Sequence, residues 1–217
     1  MSIPNVTDHA DVPSTNGSNG SGEKPVTIVA SPVIATPAPL GLLAIALTTF
    51  LLSMVNGHFV SSAVEPVVFG ELFAFGGIVL ILSGMWAFRA GSTFGGTAFT
   101  GYGGFFLSFW ALFQFYIKDI PPAQIGNAIG LYLSAWALFT VVMLIASFRT
   151  NRVTSIVFGL LLAMLIVSAI GNAGADPTLI HWGGYLGLVD AAGAAYIACA
   201  EFMQDLYGRS ILPLKPW

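Results

Sequence analysis

Residues 37–57 read PAPLGLLAIALTTFLLSMVNG, and none of them is charged. A helix of about 20 apolar residues is long enough to cross the hydrocarbon core of a bilayer. Comparable apolar stretches follow at 66–88, 97–117, 125–147, 153–170 and 182–206, separated by breaks that carry proline, glycine or charge. This pattern predicts an all-α integral membrane protein with six transmembrane helices.

The composition excludes several classes of protein. The chain of 217 residues is 56% hydrophobic and 8% charged, whereas soluble domains carry about 25% charged residues. No basic surface for nucleic acid is visible, so the expected partner is the lipid bilayer. Cys199 is the only cysteine, and no His or Cys residues have metal-ligand spacing. No nucleotide-binding or hydrolase motif is present, so we expect no cofactor, no metal and no enzyme activity.

The chain divides into three expected segments. Ser14–Ser21 contains only Ser, Thr, Asn and Gly, which cannot bury an apolar core, so residues 1–35 are predicted to be a disordered cytoplasmic leader. Residues 36–209 form the predicted six-helix transmembrane domain. Residues 210–217 are expected to be a short cytoplasmic tail.

The basic residues predict the orientation in the membrane. Six spans place both termini and the even-numbered loops on one face. That face would carry Lys24, Arg89, Arg149, Arg152, Arg209 and Lys215, and the opposite face only Lys118. Cytoplasmic loops carry an excess of Lys and Arg. We therefore predict a multi-pass protein of the cell membrane with cytoplasmic N- and C-termini.

Small residues recur at helical spacing. Gly126 and Gly130 form a GxxxG pattern, as do Gly183 and Gly187. Such patterns let helix backbones approach closely in a membrane. The sequence leaves open whether these faces pack within one subunit or against a neighbouring one.

Polar side chains inside the spans are candidates for a transport path. Thr48, Thr49 and Asn172 could hydrogen-bond a carboxylate, or they could bond their own helix or a neighbouring helix instead. Asp190 lies about 12 Å along its helix at 1.5 Å per residue. An ionisable group at that depth is a candidate proton carrier, and the alternative is a carboxyl bonded to a neighbouring helix. Glu201, nearer the cytoplasmic end, is the second proton-linked candidate, and the alternative is a carboxyl that water reaches or a neighbouring helix bonds.

Three segments carry a family resemblance. They are TPAPLGLLAIALTTFLLSMVN (Thr36–Asn56), GSTFGGTAFTGYGGFF (Gly91–Phe106), and the pair IGNAGADPTLIHWGGYLGL (Ile170–Leu188) and AEFMQDLYGRSILPL (Ala200–Leu214). Together they are similar to the acetate uptake transporter family, which includes the bacterial succinate–acetate permease. The resemblance implies a homohexamer of six-helix protomers, each with its own pore. The implied substrates are acetate and related short monocarboxylates, with succinate in some members.

The resemblance also implies site residues. Ile45, Tyr102 and Leu161 fall on the three positions that form a narrow pore constriction in the family. Leu161 and Ala194 fall on positions that tune substrate size, and Thr48, Thr49 and Asn172 on polar positions expected to face the pore.

The chain departs from the family pattern at four of its positions. The signature asparagine is Thr36 here, the aromatic of the constriction is Ile45, a glutamine of the second helix is Leu80, and Asp190 replaces an uncharged residue. These departures bear on substrate choice and coupling more than on the fold. The resulting hypothesis is proton-coupled uptake of acetate. A passive anion channel and a non-transporting membrane sensor of carboxylates remain as alternatives.

Overall fold

The computed structural model describes residues 34–214. The predicted leader therefore lies outside the described residues, apart from its last two positions. Within the described part the chain is helical and contains no strand. Its long helices are α1 (Ala38–Asn56), α2 (Pro66–Arg89), α3 (Thr93–Ala111), α4 (Ile125–Ser147), α5 (Arg152–Ala173) and α6 (Pro177–Tyr207).

Five of the six helices are long and apolar enough to cross a membrane, and α3 is the exception. It has 19 residues, but five glycines and three threonines dilute its apolar side chains. The membrane-protein class is thus supported by five helices. The length of α3 fits a sixth span, and its glycines allow it to pack among the others.

Capping explains where the helix boundaries depart from the predicted spans. The predicted span 97–117 is shifted, because Ser92 Oγ accepts a hydrogen bond from the backbone N–H of Gly95 at 3.1 Å and starts α3 at Thr93. The α-helix of α3 ends at Ala111 and passes into a π segment, Leu112–Tyr116. Similarly, Asp176 Oδ1 accepts from the N–H of Thr178 at 2.8 Å, so α6 begins five residues before the predicted 182.

Helix α2 contains a second π segment, Ala74–Val79. It brings Gly76 against α1, where a Cβ on Gly76 would lie 2.6 Å from Thr48 Oγ1. A side chain at this position would therefore push α1 and α2 apart. π segments inside α-helices are often found at functional sites.

Both GxxxG patterns pack within the protomer. A Cβ on Gly130 would lie 2.8 Å from the Ala169 carbonyl of α5, and a Cβ on Gly187 would lie 2.8 Å from Met164 Sδ. These contacts answer the question left open by the sequence for these two faces. Within the protomer the glycines join α4 to α5, and join α6 to α5 and to α1, where Ser53 Oγ is the nearest atom to a Cβ on Gly187.

The segment after α6 turns back along the bundle. Gly208 ends the helix with a left-handed φ of 65°, which glycine adopts without strain. Tyr196 Oη then donates a hydrogen bond to the carbonyl of Pro213 at 3.1 Å, and Leu214 packs against a cluster that includes Ala194 and Ile197. The described part of the predicted tail thus lies against α6.

Candidate functional site

The main cavity has a volume of about 560 Å³ and reaches one end of the helix bundle. Its mouth is bordered by the start of α1, the α2–α3 turn and the α4–α5 loop. Its described lining is Ile34, Thr36, Pro37, Ala38, Leu42, Ile45, Ala87, Ala90, Ser92, Phe94, Gly95, Ala98, Phe99, Tyr102, Thr150, Asn151, Thr154, Val157, Phe158, Leu161, Asp190, Ala194, Ile197 and Glu201. None of these residues is Lys, Arg or His.

Three helix N-termini converge on this cavity, those of α1, α3 and α5. Thr36 Oγ1 accepts a long 3.4 Å bond from the N–H of Ala38, and Asn151 Oδ1 accepts a 2.9 Å bond from the N–H of Thr154. Ser92 caps α3 in the same manner. Each helix start carries a partial positive charge and N–H groups that no carbonyl of its own helix accepts. The cavity can therefore attract an anion without a basic side chain.

Ile45, Tyr102 and Leu161 close the inner end of the main cavity. The same three residues line a small chamber of about 20 Å³ on the other side. The structure therefore brings together the three residues that the family resemblance places at a constriction. A chamber of this volume has room for about one water molecule, so the path is closed to a carboxylate in this conformation.

Ile45, Tyr102 and Leu161 together form the neck of the path. A hydrogen bond fixes the tyrosine of this neck. Tyr102 Oη lies 3.0 Å from Thr140 Oγ1, and Thr140 Oγ1 lies 2.8 Å from the carbonyl of Trp136. Because a carbonyl only accepts, the threonine proton goes to Trp136 and Tyr102 is the donor to Thr140. The phenol proton therefore points at α4 and is not available to an anion in the neck.

A second constriction follows beyond the chamber, and sequence analysis missed it. Leu52, Phe105, Met164 and Leu165 line both the chamber and a third cavity of about 200 Å³. Phe105 is held by neighbouring rings, with Phe106 at 5.0 Å between centroids. The signal was present as helical spacing, because Leu52, Phe105 and Leu165 follow the three neck residues by seven, three and four positions.

The third cavity lies at the opposite end of the path, and its lining is more polar than that of the chamber. Its lining includes Ser53, Asn56, Glu65, Ser168 and Asn172. Asn172 Nδ2 donates to the carbonyl of Ser168 at 2.8 Å, which leaves its amide oxygen as the group available to a partner. Partial burial raises the pKa of Glu65, which precedes α2.

The predicted site residues outside the neck distribute along this row of cavities, with one exception. Thr36, Ala194, Asp190 and Glu201 line the main cavity, Thr49 lines the chamber and Asn172 lines the third cavity. Thr48 does not line any of the three. It is fully buried and lies against Gly76 of α2, and its place on the path stays a prediction.

Asp190 is the most unusual side chain of the site. It is 0% exposed, and both of its carboxylate oxygens lack a hydrogen-bond partner among the described residues. No group of three or more His, Cys, Asp or Glu side chains in residues 34–214 could hold a metal ion. Asp190 therefore borders the main cavity as a buried carboxyl that no described side chain or backbone group hydrogen-bonds.

A family model described as the GPR1/FUN34/yaaH family matches residues 20–213. The chain belongs to the GPR1/FUN34/yaaH family. It is 36% identical over 185 residues to the succinate-acetate/proton symporter SatP of Escherichia coli (strain K12), covering 83% of this chain and 95% of that protein. It is 38% identical over 171 residues to the ammonia transport outward protein 2 of Saccharomyces cerevisiae, covering 76% of this chain and 61% of that protein.

A solved structure gives the same answer for the fold. The structure of the bacterial acetate channel SatP matches with a TM-score of 0.77 at 35% identity, over 84% of this chain and 99% of that one. The resemblance to the acetate uptake transporter family is thus confirmed. SatP is described as a proton symporter in one of these comparisons and as an acetate channel in the other.

Proposed function

We propose that this protein takes up acetate and related short monocarboxylates, with succinate as a further candidate, across the cell membrane together with protons. The observation that carries the proposal is the row of three cavities with the neck of Ile45, Tyr102 and Leu161 between the first two. The descriptions of SatP as a succinate-acetate/proton symporter and as an acetate channel support the substrate class.

Each part of the path suits a small carboxylate. The three helix N-termini at the main cavity attract the negative end weakly, so the anion can also leave. The neck is largely apolar, and the methyl group of acetate can pass it without losing hydrogen bonds. Thr49 in the chamber and Asn172 in the third cavity offer hydrogen bonds on the far side.

The proposed orientation places the main cavity on the cytoplasmic side. Arg89 ends α2, and Arg149 lies in the loop before α5, at the same end of the bundle as this cavity. An excess of basic residues there fits a cytoplasmic face. Both termini would then be cytoplasmic, and we propose that six protomers assemble into a homohexamer with one path each. Mass measurement of the detergent-solubilised protein tests the hexamer.

The first experiment measures uptake of labelled acetate into proteoliposomes, with and without an inward proton gradient, at a fixed membrane potential. Uptake against the acetate gradient only when protons flow inward, beyond the leak of neutral acetic acid in empty liposomes, supports symport. Labelled methylammonium serves as a parallel substrate, because one relative is described as an ammonia transport protein. Transport of methylammonium but not acetate would refute the proposed substrate.

A passive acetate channel is the second candidate, and the description of the solved relative as a channel favours it. The two candidates differ in how the neck opens. A channel must hold both constrictions open at once, whereas a symporter must open the two constrictions in turn. Rapid flux that only runs down the acetate gradient would identify the channel.

A further inference from the structure

One face of α6 carries two carboxyls into the main cavity. Asp190, Ala194, Ile197 and Glu201 are spaced by four, three and four residues, and all four line the cavity. This spacing places them on one side of the helix. Asp190 lies deep, beside the neck, and Glu201 lies about 16 Å further along the helix toward the mouth, at 1.5 Å per residue.

No residue among 34–214 is seen to compensate a negative charge on Asp190. Both carboxylate oxygens lack a hydrogen-bond partner among residues 34–214, and the side chain is 0% exposed. The titratable side chains that share the described lining with it are Tyr102 of α3 and Glu201 of α6. Tyr102 directs its proton at Thr140, so it does not donate to Asp190.

An ionised carboxylate in this place is costly in two ways. A buried charge without a partner is destabilising, because water no longer solvates it. A fixed negative charge beside the neck also repels a passing anion. A proton on Asp190 removes both costs, and the resulting O–H can donate a hydrogen bond to the carboxylate of the substrate.

We propose that Asp190 is the group that carries the co-transported proton, bound when a monocarboxylate passes the neck and released through the main cavity past Glu201. The inference rests on the proposed function and names the residue that couples it. One proton from the outer side adds to the Asp190 carboxylate, one monocarboxylate anion from the same side crosses the neck beside the neutral acid, and both then leave for the cytoplasmic side. The step moves no net charge.

The test compares the wild type with Asp190→Asn, which keeps the shape and an N–H donor but cannot carry an exchangeable proton. Glu71→Gln is the matched control, because Glu71 is an acidic residue of a predicted span that does not line any of the three cavities. Each variant is first assayed for exchange of labelled against unlabelled acetate at equal pH. Exchange needs no net proton movement, and its absence in the wild type would refute the proposed function itself.

The decisive readout is the effect of membrane potential on net acetate uptake, set with potassium and valinomycin. Coupled uptake is electroneutral, so the wild type and Glu71→Gln should be insensitive to the potential. In Asp190→Asn, an inside-positive potential of about 60 mV should drive about tenfold accumulation of the uncoupled anion. Loss of net uptake with exchange retained would equally support the proposal, because a proton carrier is needed only for net transport.

Two results would overturn it. Net uptake in Asp190→Asn that stays electroneutral, with wild-type pH dependence, would exclude Asp190 as the carrier. Voltage-driven uptake in the wild type would show that no proton is coupled at all. If Asp190→Asn elutes as aggregate, Asp190→Ser tests the same point. The variant Asp190→Glu keeps a carboxyl at this position, so its net uptake should be electroneutral like that of the wild type.

Discussion

Replacing Leu161 by alanine should widen the range of acids that the protein transports. Leu161 is 8% exposed and lines both the main cavity and the chamber of about 20 Å³. It is therefore one of the three side chains that separate the two spaces. Truncation to alanine removes three carbons from the neck and joins the chamber to the main cavity on one side.

The size of the effect follows from the size of the removed group. Lactate differs from acetate by one hydroxylated carbon, and exclusion of one such group by a pocket is worth about 1–3 kcal/mol. Because about 1.4 kcal/mol corresponds to a factor of ten, the lactate-to-acetate rate ratio should rise by about 10- to 100-fold. The stability cost should be near the low end of the range for Leu→Ala, about 2 kcal/mol, because Leu161 already borders two cavities.

The assay measures initial rates of labelled lactate, acetate and succinate in the same proteoliposomes, with empty liposomes subtracted. Leu160→Ala is the matched control, since the neighbouring leucine of α5 does not line the three cavities. Stability is followed by thermal unfolding in detergent. A rate ratio that is the same in Leu161→Ala, Leu160→Ala and wild type would refute the assignment of Leu161 to the neck.

Three further changes test contacts around the path. Thr140→Val leaves the buried Tyr102 hydroxyl without its acceptor and should cost about 1–3 kcal/mol in thermal unfolding, with Thr140→Ser close to wild type. Gly76→Ala should destabilise the protein by about 1–3 kcal/mol, because its Cβ meets Thr48 Oγ1, and Thr48→Ala should restore much of that loss in the double variant. Phe105→Ala opens the second constriction and should raise downhill acetate flux at a stability cost of about 3–5 kcal/mol; unchanged flux would place the barrier at the neck alone.

The helices were predictable because each span is a long apolar stretch, but the ends of the helices depended on single side chains. The predicted span 125–147 coincides with α4, where Pro121 and Pro122 mark the break before it. The predicted third span begins four residues after the start of α3. The reason is that the threonine and glycines at the start of α3 are not apolar enough to be counted as part of a span. The Ser92 hydroxyl and its bond to the Gly95 N–H decide that boundary instead.

The neck was predictable only through the family resemblance. Composition and periodicity do not distinguish Tyr102 from the other aromatic residues of α3, and the Thr140 partner that orients it lies 38 residues away in the chain. Thr48 was proposed for the path because it is a hydroxyl in an apolar helix, and that role stays a prediction. In the structure it lies against Gly76, in the π segment of α2.

The electrostatics of the main cavity link the departure at position 190 to the proposed mechanism. Three helix N-termini contribute roughly half an elementary charge each, which together is about +1.5. Asp190 and Glu201 would contribute −2 if both were ionised, so the cavity would repel acetate. With Asp190 neutral the sum returns to about +0.5, and the cavity attracts the anion weakly. Because the sign depends on one proton at one residue, substrate and proton are expected to occupy this site together, and acetate binding should weaken when Asp190 loses its proton.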